Sequence, residues 1–545
     1  MKKRYTVGLD FGTLSARGVV LDLQTGDALA EDSLFVYPHG VFHTPGGVGG
    51  NPDFALADPD DYIAALEFLL CDLPRKNRIS PAEIEGIGID FTACTVLPVD
   101  ADGVPLCRDP RFADNPHAYV KLWKHHGAKD LTDRIESVAR AFGESFPDRT
   151  GGRVSCELMI PKLLETLEKA PEVYRATDRF MNAGDFLVRV LTGKEVHSTA
   201  FASIKEGWDP VIGFPKRAFF AALNPEMEDL IGTKLREKVD LAGSCGGRLS
   251  KAWAEKTGMD TDTAVAVPVV DAHAPMAVAG IGDGVLALVV GTSGCLCMNY
   301  SAAKPIPGVM SCGMNAVAEG KMTYDAGLSA AGDLFDWFVR RCVPGNYERE
   351  AAERGIGIHA LLREKAIRKA PGESGLIALD WWNGNRSILG DSHLSGMILG
   401  LTLATPPEDI YRALIEATAY GVRRVYDNYA EQGVPVREVM VTGGIAEKDP
   451  MLMQIYADVL GCELKLLDSR QPTALGSAVF ATVASGRYPD IGAASRALHG
   501  KTSVVYTPDP GRQAQYEALY REYLTLHDYF GRGGNDVMKR LSRKK

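Results

Sequence analysis

Apolar positions recur along this chain with two periods, and the switches between them outline its elements. "YTVGLDF" (5–11) and "RGVVLDL" (17–23) read as strands, with Gly12-Thr13 turning between them. "DALAEDSLFVY" (27–37) predicts a third strand after the turn at 24–27. "GGVGG" (46–50) is a flexible loop. "DPDDYIAALEFLLCDL" (58–73) starts with a capping Asp58 and carries apolar residues at helical spacing. "IEGIGIDFTACTVLPVD" (84–100) returns to a buried strand followed by a loop. Helical patterns then dominate at 115–135, 157–174 and 183–193, before the strand "TAVAVPVVDAH" (263–273). Strand and helix patterns in alternation indicate an α/β protein.

The second half opens as the first does. "LALVVGTSGCLCMNY" (286–300) is again an apolar strand, a Gly-Thr turn and a second apolar strand. Gly12-Thr13 and Gly291-Thr292 therefore read as equivalent corners of two similar halves. The boundary falls in the Gly/Ala-rich stretch 280–284, giving domains 1–280 and 281–545. Beyond it come a long amphipathic helix after Pro406-Pro407, a strand–Gly-Gly–helix unit at 437–461, and a small-residue helix at 473–486.

Bulk properties narrow the function classes. At 545 residues the chain is too long for one core. A net charge of −10 argues against a general nucleic-acid binder. The basic end "MKRLSRKK" (538–545) reads as a solvated, frayed tail. No run reaches the ~20 apolar residues of a membrane span, and the N-terminus lacks a signal-peptide core. Ten scattered cysteines form no Cys-x-x-Cys, so the expectation is a reduced, cytoplasmic protein without structural zinc. Cys295 and Cys297 would share one strand face as small buried residues. His125 and His126, being neighbours, diverge on any helix.

The chemistry concentrates at the strand ends. Neither a Walker-type loop nor a Gly-x-Gly-x-x-Gly after a strand is present. Two Gly-Thr corners can instead present backbone N–H groups and hydroxyls to one phosphate chain from both sides. Asp10, at the lip of the first strand, would supply a magnesium carboxylate. Phosphoryl transfer asks for such parts plus a base aimed at the attacking hydroxyl.

With these residues in view, the chain resembles the FGGY carbohydrate kinase family, and within it the ribulokinase branch. "GLDFGTLSAR", "GIDFTACTVLPVD", "KLWKHH", "VVDAHAP", "GTSGCLCM", "LDWWNGNRS", "SGMILGLTLAT" and "VTGGIAEKDPMLMQIYADVLG" carry the likeness from end to end. The resemblance implies a two-domain actin-like, ribonuclease-H-like ATPase fold with an active site between domains. It implies ATP as co-substrate with Mg2+, and phosphorylation of L-ribulose at its terminal hydroxyl. Asp271 falls at the family's general base; spacing alone also allows a helix N-cap there. Ala93, Lys205 and Asp325 would join Asp271 around the sugar. Lys205 reads equally as an exposed loop lysine, and Asp325 is shorter than the Glu usual in the branch. Gly12, Thr13, Arg17, Gly291 and Thr292 would face phosphate, and Gly443, Gly444 and Glu447 the adenosine. Leu14 replaces a common hydroxyl residue, and Ile445 the usual third glycine. Trp123, Lys124, Trp381 and Asn383 mark the branch without an assigned role.

Three alternatives accompany this reading. One is a family kinase acting on D-ribulose, xylulose or a pentitol. Another is an actin- or chaperone-like ATPase without a sugar, although no peptide-binding module is evident. A silent sugar sensor would have lost Asp10 or Asp271, and both are present. The helix at 409–429 has apolar surface enough for a homodimer contact or for core packing.

Overall fold

Two seven-stranded sheets built on one plan organise the chain in the computed structural model, which describes residues 3–47, 49–301, 304–469 and 471–542. The first contains β1 (Tyr5–Phe11), β2 (Ser15–Asp22), β3 (Ser33–Val36), β4 (Ile84–Phe91), β5 (Cys245–Arg248), β6 (Ala264–Ala266) and β7 (Val269–Val270). Its order is β3-β2-β1-β4-β6-β5, with β7 also pairing β4. The second contains β8 (Val285–Val290), β9 (Gly294–Tyr300), β10 (Ser311–Met314), β11 (Met322–Leu328), β12 (Glu438–Thr442), β13 (Leu464–Leu467) and β14 (Thr502–Tyr506). Its order is β10-β11-β9-β8-β12-β13-β14.

The plan repeats pairing by pairing. β3-β2-β1 and β11-β9-β8 are antiparallel trios. Each trio continues into two parallel strands, β4 and β6 in one sheet, β12 and β13 in the other. The likeness first seen at the two Gly-Thr corners thus extends across both sheets.

Helices follow from caps and apolar stripes. In α1 (Pro59–Asn77), the Asp58 side chain accepts from the Asp60 amide, and Pro59 occupies the first turn. Tyr62, Leu66, Leu69 and Leu73 bury its inner stripe. The long helix α2 (Pro407–Glu431) starts at Pro407, where a missing N–H costs nothing.

Helix α3 (Pro472–Ala484) lies across the first sheet although it belongs to the second half of the chain. A Cβ on Gly8 would stand 1.8 Å from the Ala474 carbonyl oxygen, and one on Gly88 1.8 Å from that of Ser477. Bare strand backbone therefore lets the helix sit directly on β1 and β4.

Several expectations are corrected. Residues 115–135 are mostly not helical: short 3-10 turns flank the strand Val120–Lys121, and a helix begins only at Thr132. Lys121 is turned inward, its Nζ 2.6 Å from Glu165 Oε2, and this tertiary pairing overrides the helical period. The strand expected over 263–273 breaks around Pro268, which has no N–H for a ladder. Only Ser33–Val36 of the 27–37 run is a strand. The basic end forms the helix Val537–Ser542, with Met538 buried and Lys539 Nζ 2.6 Å from Asp391. The remainder of that tail, residues 543–545, lies outside the described residues, as does Val48 of the 46–50 loop. All ten cysteines are free.

Candidate active site

Three aspartates stand at the C-terminal ends of neighbouring parallel strands. Asp10 of β1 and Asp90 of β4 are direct register partners, beside the stacked Phe11 and Phe91 rings. Asp271 follows β7, and its amide donates to the Phe91 carbonyl at 3.0 Å. Burial raises the Asp10 pKa, opposed by Asp90 and by the Arg17 charge. Arg17 stands opposite Asp10 across the β1–β2 hairpin. Asp90 is pushed well above the usual carboxylate range, first by burial and then by the Asp10 charge. One proton shared within this pair relieves the repulsion. Asp90 Oδ2 accepts from Ser477 Oγ at 2.5 Å, while Oδ1 faces no protein donor.

Asp271 is pushed up to about 7 by burial and by Asp10, with the Ala272 amide at 2.7 Å pulling the other way. The nearest following helix, Met276–Ala279, has Pro275 at its cap position, so Asp271 does not cap it.

The corners are held by their own backbone. The Gly12 amide donates to Ser15 O, and the Gly291 amide to Ser293 O, each at 3.0 Å. Thr13 Oγ1 accepts from the Trp123 indole at 3.0 Å, which gives that branch-marking residue a contact. Leu14, beside it, is 58% exposed. The Thr292 carbonyl accepts from Ala331 and Asp333. β12 runs parallel to β8 and is followed by Gly443, whose φ of 115° suits glycine alone. A Cβ there would lie 2.4 Å from Val290 O, so the Gly443-Gly444 turn seats on the end of β8. Gly444 has nothing within 4 Å of where a Cβ would point. Glu447 lies in the short helix Gly444–Lys448 that this turn opens.

On the opposite side, Lys205 Nζ reaches Ser311 Oγ at 3.4 Å, and that hydroxyl lies 3.5 Å from Asp325 Oδ2. Lys205 and Asp325 both act on Asp271 electrostatically, so three of the four predicted sugar residues are gathered together. Ala93 lies in the turn after β4, where Cys94 has φ 54° and its carbonyl accepts from Lys162 Nζ at 2.6 Å. Trp381 is fully buried, with the His527 ring 5.5 Å away, and belongs to the core. Asn383 is exposed.

Sequence reasoning gave no role to Asp90, Glu157, His273 and Arg386, which interact with the residues above. Burial alone would raise Glu157, yet His126 and the Arg386, Lys205 and Lys162 charges hold its pKa low. Asp90 left a readable signal, since Gly88-Ile89-Asp90-Phe91 repeats Gly8-Leu9-Asp10-Phe11 and pairs with it residue for residue.

Solved structures share this architecture. A gluconate kinase from Lactobacillus acidophilus superposes with a TM-score of 0.80 at 20% identity, covering 97% of this chain and 98% of that one. A xylulose kinase from the same organism gives 0.79, also at 20% identity, covering 96% and 98%. The fold is thus the actin-like ATPase fold of sugar kinases. The model of the C-terminal domain of the FGGY carbohydrate kinases matches residues 286–485. A curated ribulokinase of Geobacillus thermodenitrificans is 44% identical over 100% of this chain and 98% of its own length. One from Mycolicibacterium smegmatis is 41% identical over 99% and 96%. The chain belongs to the FGGY family of carbohydrate kinases, among relatives named ribulokinase, and is a sugar kinase. Among the described residues, no helix is long and apolar enough to cross a membrane.

Proposed function

We propose that this chain transfers the γ-phosphate of ATP to the terminal hydroxyl of L-ribulose, giving L-ribulose 5-phosphate and ADP in L-arabinose catabolism. The observation that carries the mechanism is Asp271, lifted to about 7 between Asp10 on one side and Lys205 and Asp325 on the other. A carboxylate tuned close to neutral pH is a capable general base for a hydroxyl proton. Asp271 takes that proton as the oxygen attacks. Lys205, Asp325 and the Ala93 backbone orient the ketose. Gly12, Thr13, Arg17, Gly291 and Thr292 hold the phosphates, and Gly443, Gly444 and Glu447 the adenosine side.

Asp10 and Asp90 fit a divalent cation: a half-buried and a fully buried carboxyl side by side, with Asp90 Oδ1 lacking a protein donor. Mg2+ bound by Asp10 would neutralise phosphate charge. Arg17, opposite Asp10, adds a positive charge on the same strand face. We place the domain boundary near residue 280, with α3 returning to the first sheet. We also assign the protein to the cytoplasm; the apolar residues of α2 pack into the core of the second half, so a homodimer would use another surface.

A coupled ADP-release assay across L-ribulose, D-ribulose, D-xylulose, pentitols and glycerol tests the reading. L-ribulose should give the highest kcat/KM. A value no better than that of glycerol or D-xylulose rejects the substrate assignment.

A further inference from the structure

Three side chains with different donor atoms meet on the sugar side of the site. Cys297 and Asp325 stand directly opposite on β9 and β11, so their side chains share one face. Cys297 Sγ lies 3.7 Å from Asp325 Oδ1. His273 arrives from the other half of the chain, and its Nε2 is 3.9 Å from Asp325 Oδ2. One ligand atom from each residue lies within 4.8 Å of the others. His273 is 0% exposed, and neither ring nitrogen has a hydrogen-bond partner. An unpaired buried polar group is costly, so plain core packing does not explain this imidazole.

We propose that His273, Cys297 and Asp325 form a three-ligand zinc site whose occupation competes with the ketose for Asp325. Tetrahedral zinc with bonds of about 2.0–2.3 Å separates its ligand atoms by roughly 3.3–3.8 Å. With one atom taken from each residue, all three separations lie within 4.8 Å, so the ligand atoms need only draw together by side-chain rotation to reach that range. The donor set also selects the ion. Magnesium prefers six oxygens, whereas an imidazole, a thiolate and a carboxylate together suit zinc. Burial keeps the imidazole neutral, with a lone pair to offer. Burial also keeps Cys297 a thiol, so binding releases its proton to solvent. Zinc, thiolate and carboxylate then sum to zero charge, which a buried pocket tolerates. The Asp325 side chain keeps 8% exposure while His273 has none, so ion and ketose would both approach from the Asp325 side. Competition with the ketose rests on the sugar assignment of Asp325 made above.

The test uses the full-length, metal-stripped protein without nucleotide, titrated with zinc chloride alone by calorimetry under a phosphine reductant. Because other cysteines are exposed, Cys297→Ala supplies the difference measurement. Wild type should bind one more equivalent than the variant, or bind it more than ~10–100-fold tighter, the cost of losing even an outer-shell partner. Cobalt(II) alone should give a thiolate charge-transfer band that Cys297→Ala lacks. Retained kinase turnover and an unchanged melting temperature in metal-free buffer confirm that the variant is folded; if it is not, Cys297→Ser takes its place. Equal zinc binding in the wild type and a folded variant, with no cobalt–thiolate band, overturns the site. L-Ribulose should weaken the Cys297-dependent zinc binding. If that binding ignores L-ribulose, the site stands and the assignment of Asp325 to the sugar falls.

Discussion

Ser477 donates its hydroxyl to Asp90 at 2.5 Å across 387 positions of sequence, fastening α3 to the strand end that pairs with Asp10. The contact is buried at both ends. It couples the seating of a C-terminal helix to the charge state of the candidate catalytic carboxylates. Ser477→Ala removes the hydroxyl donor to Asp90 and leaves Asp10 as its remaining side-chain partner. Loss of that bond should lower unfolding free energy by about 1–3 kcal/mol. The Asp90 carboxyl should also hold its proton more tightly, raising the KM for Mg-ATP. Chemical denaturation and initial rates check both; an unchanged KM would separate Asp90 from nucleotide binding.

As the proposed base, Asp271 should govern the pH profile. An acid lifted to about 7 is protonated, and useless as a base, below that pH. kcat/KM for the ketose should therefore fall as pH drops through about 7, rather than near 4 as for an ordinary aspartate. Asp271→Asn should bind both substrates and lose at least ~10²-fold in kcat. Its residual rate should show no acidic limb at that position. Near-normal turnover in this variant would move the base elsewhere.

Trp123 reaches the first corner through a single hydrogen bond to Thr13. Trp123→Phe keeps an aromatic ring and removes the donor. A bond of about 1 kcal/mol predicts a roughly fivefold loss in kcat/KM for ATP, with little change in melting temperature. A loss confined to the ketose KM would show that the indole serves the sugar side instead.

Much of this was legible in advance, and the gaps share a physical cause. The Gly-Thr corners and Asp10 were readable because strand ends and turns are local, short-period features, whereas Asp271 came from the family resemblance, since spacing alone also allowed a helix N-cap. Asp90 was equally visible as the repeat of Gly8-Leu9-Asp10-Phe11 at Gly88-Ile89-Asp90-Phe91. Its partner Ser477 was not, since nothing near residue 477 states which sheet its helix will cover. Residues 115–135 were misread for a related reason. Lys121 and His125 look like the polar face of a helix, yet both turn inward onto Glu165, a partner about 40 residues away. Burial of a charge with its partner is a tertiary fact that local periodicity does not encode.

Gly443 and Gly444 are adjacent yet should respond differently. Gly443 combines φ 115° with a Val290 carbonyl 2.4 Å from any added Cβ. Gly443→Ala must shift β12 against β8 and should destabilise the protein by more than ~1 kcal/mol. Gly444 has open space around its Cβ direction. Gly444→Ala should melt normally and raise the KM for ATP by narrowing the approach of the nucleotide. If both variants melt normally and bind ATP alike, the turn has no part in nucleotide recognition.

His197 couples stability to pH through Glu206, the residue that follows Lys205. Burial lowers its pKa, but Glu206, 2.7 Å from Nε2, outweighs that and lifts it to about 9. Nδ1 lies 2.7 Å from the Arg236 carbonyl oxygen, so the imidazolium donates from both nitrogens. A histidine raised in the folded state contributes stability that is complete below its unfolded pKa near 6.5 and vanishes as pH climbs through about 9. Asp185, raised to about 7 chiefly by burial, adds in the same direction, because its ionisation between pH 4 and 7 disfavours the fold. Melting temperature should therefore decline from pH 6 to pH 9.5 more steeply in wild type than in His197→Gln, which no longer titrates. His197→Ala should cost about 3–5 kcal/mol near neutral pH, since it leaves the Glu206 charge buried without its cation. Parallel wild-type and His197→Gln curves across that range would mean that the imidazole is neutral in the native protein.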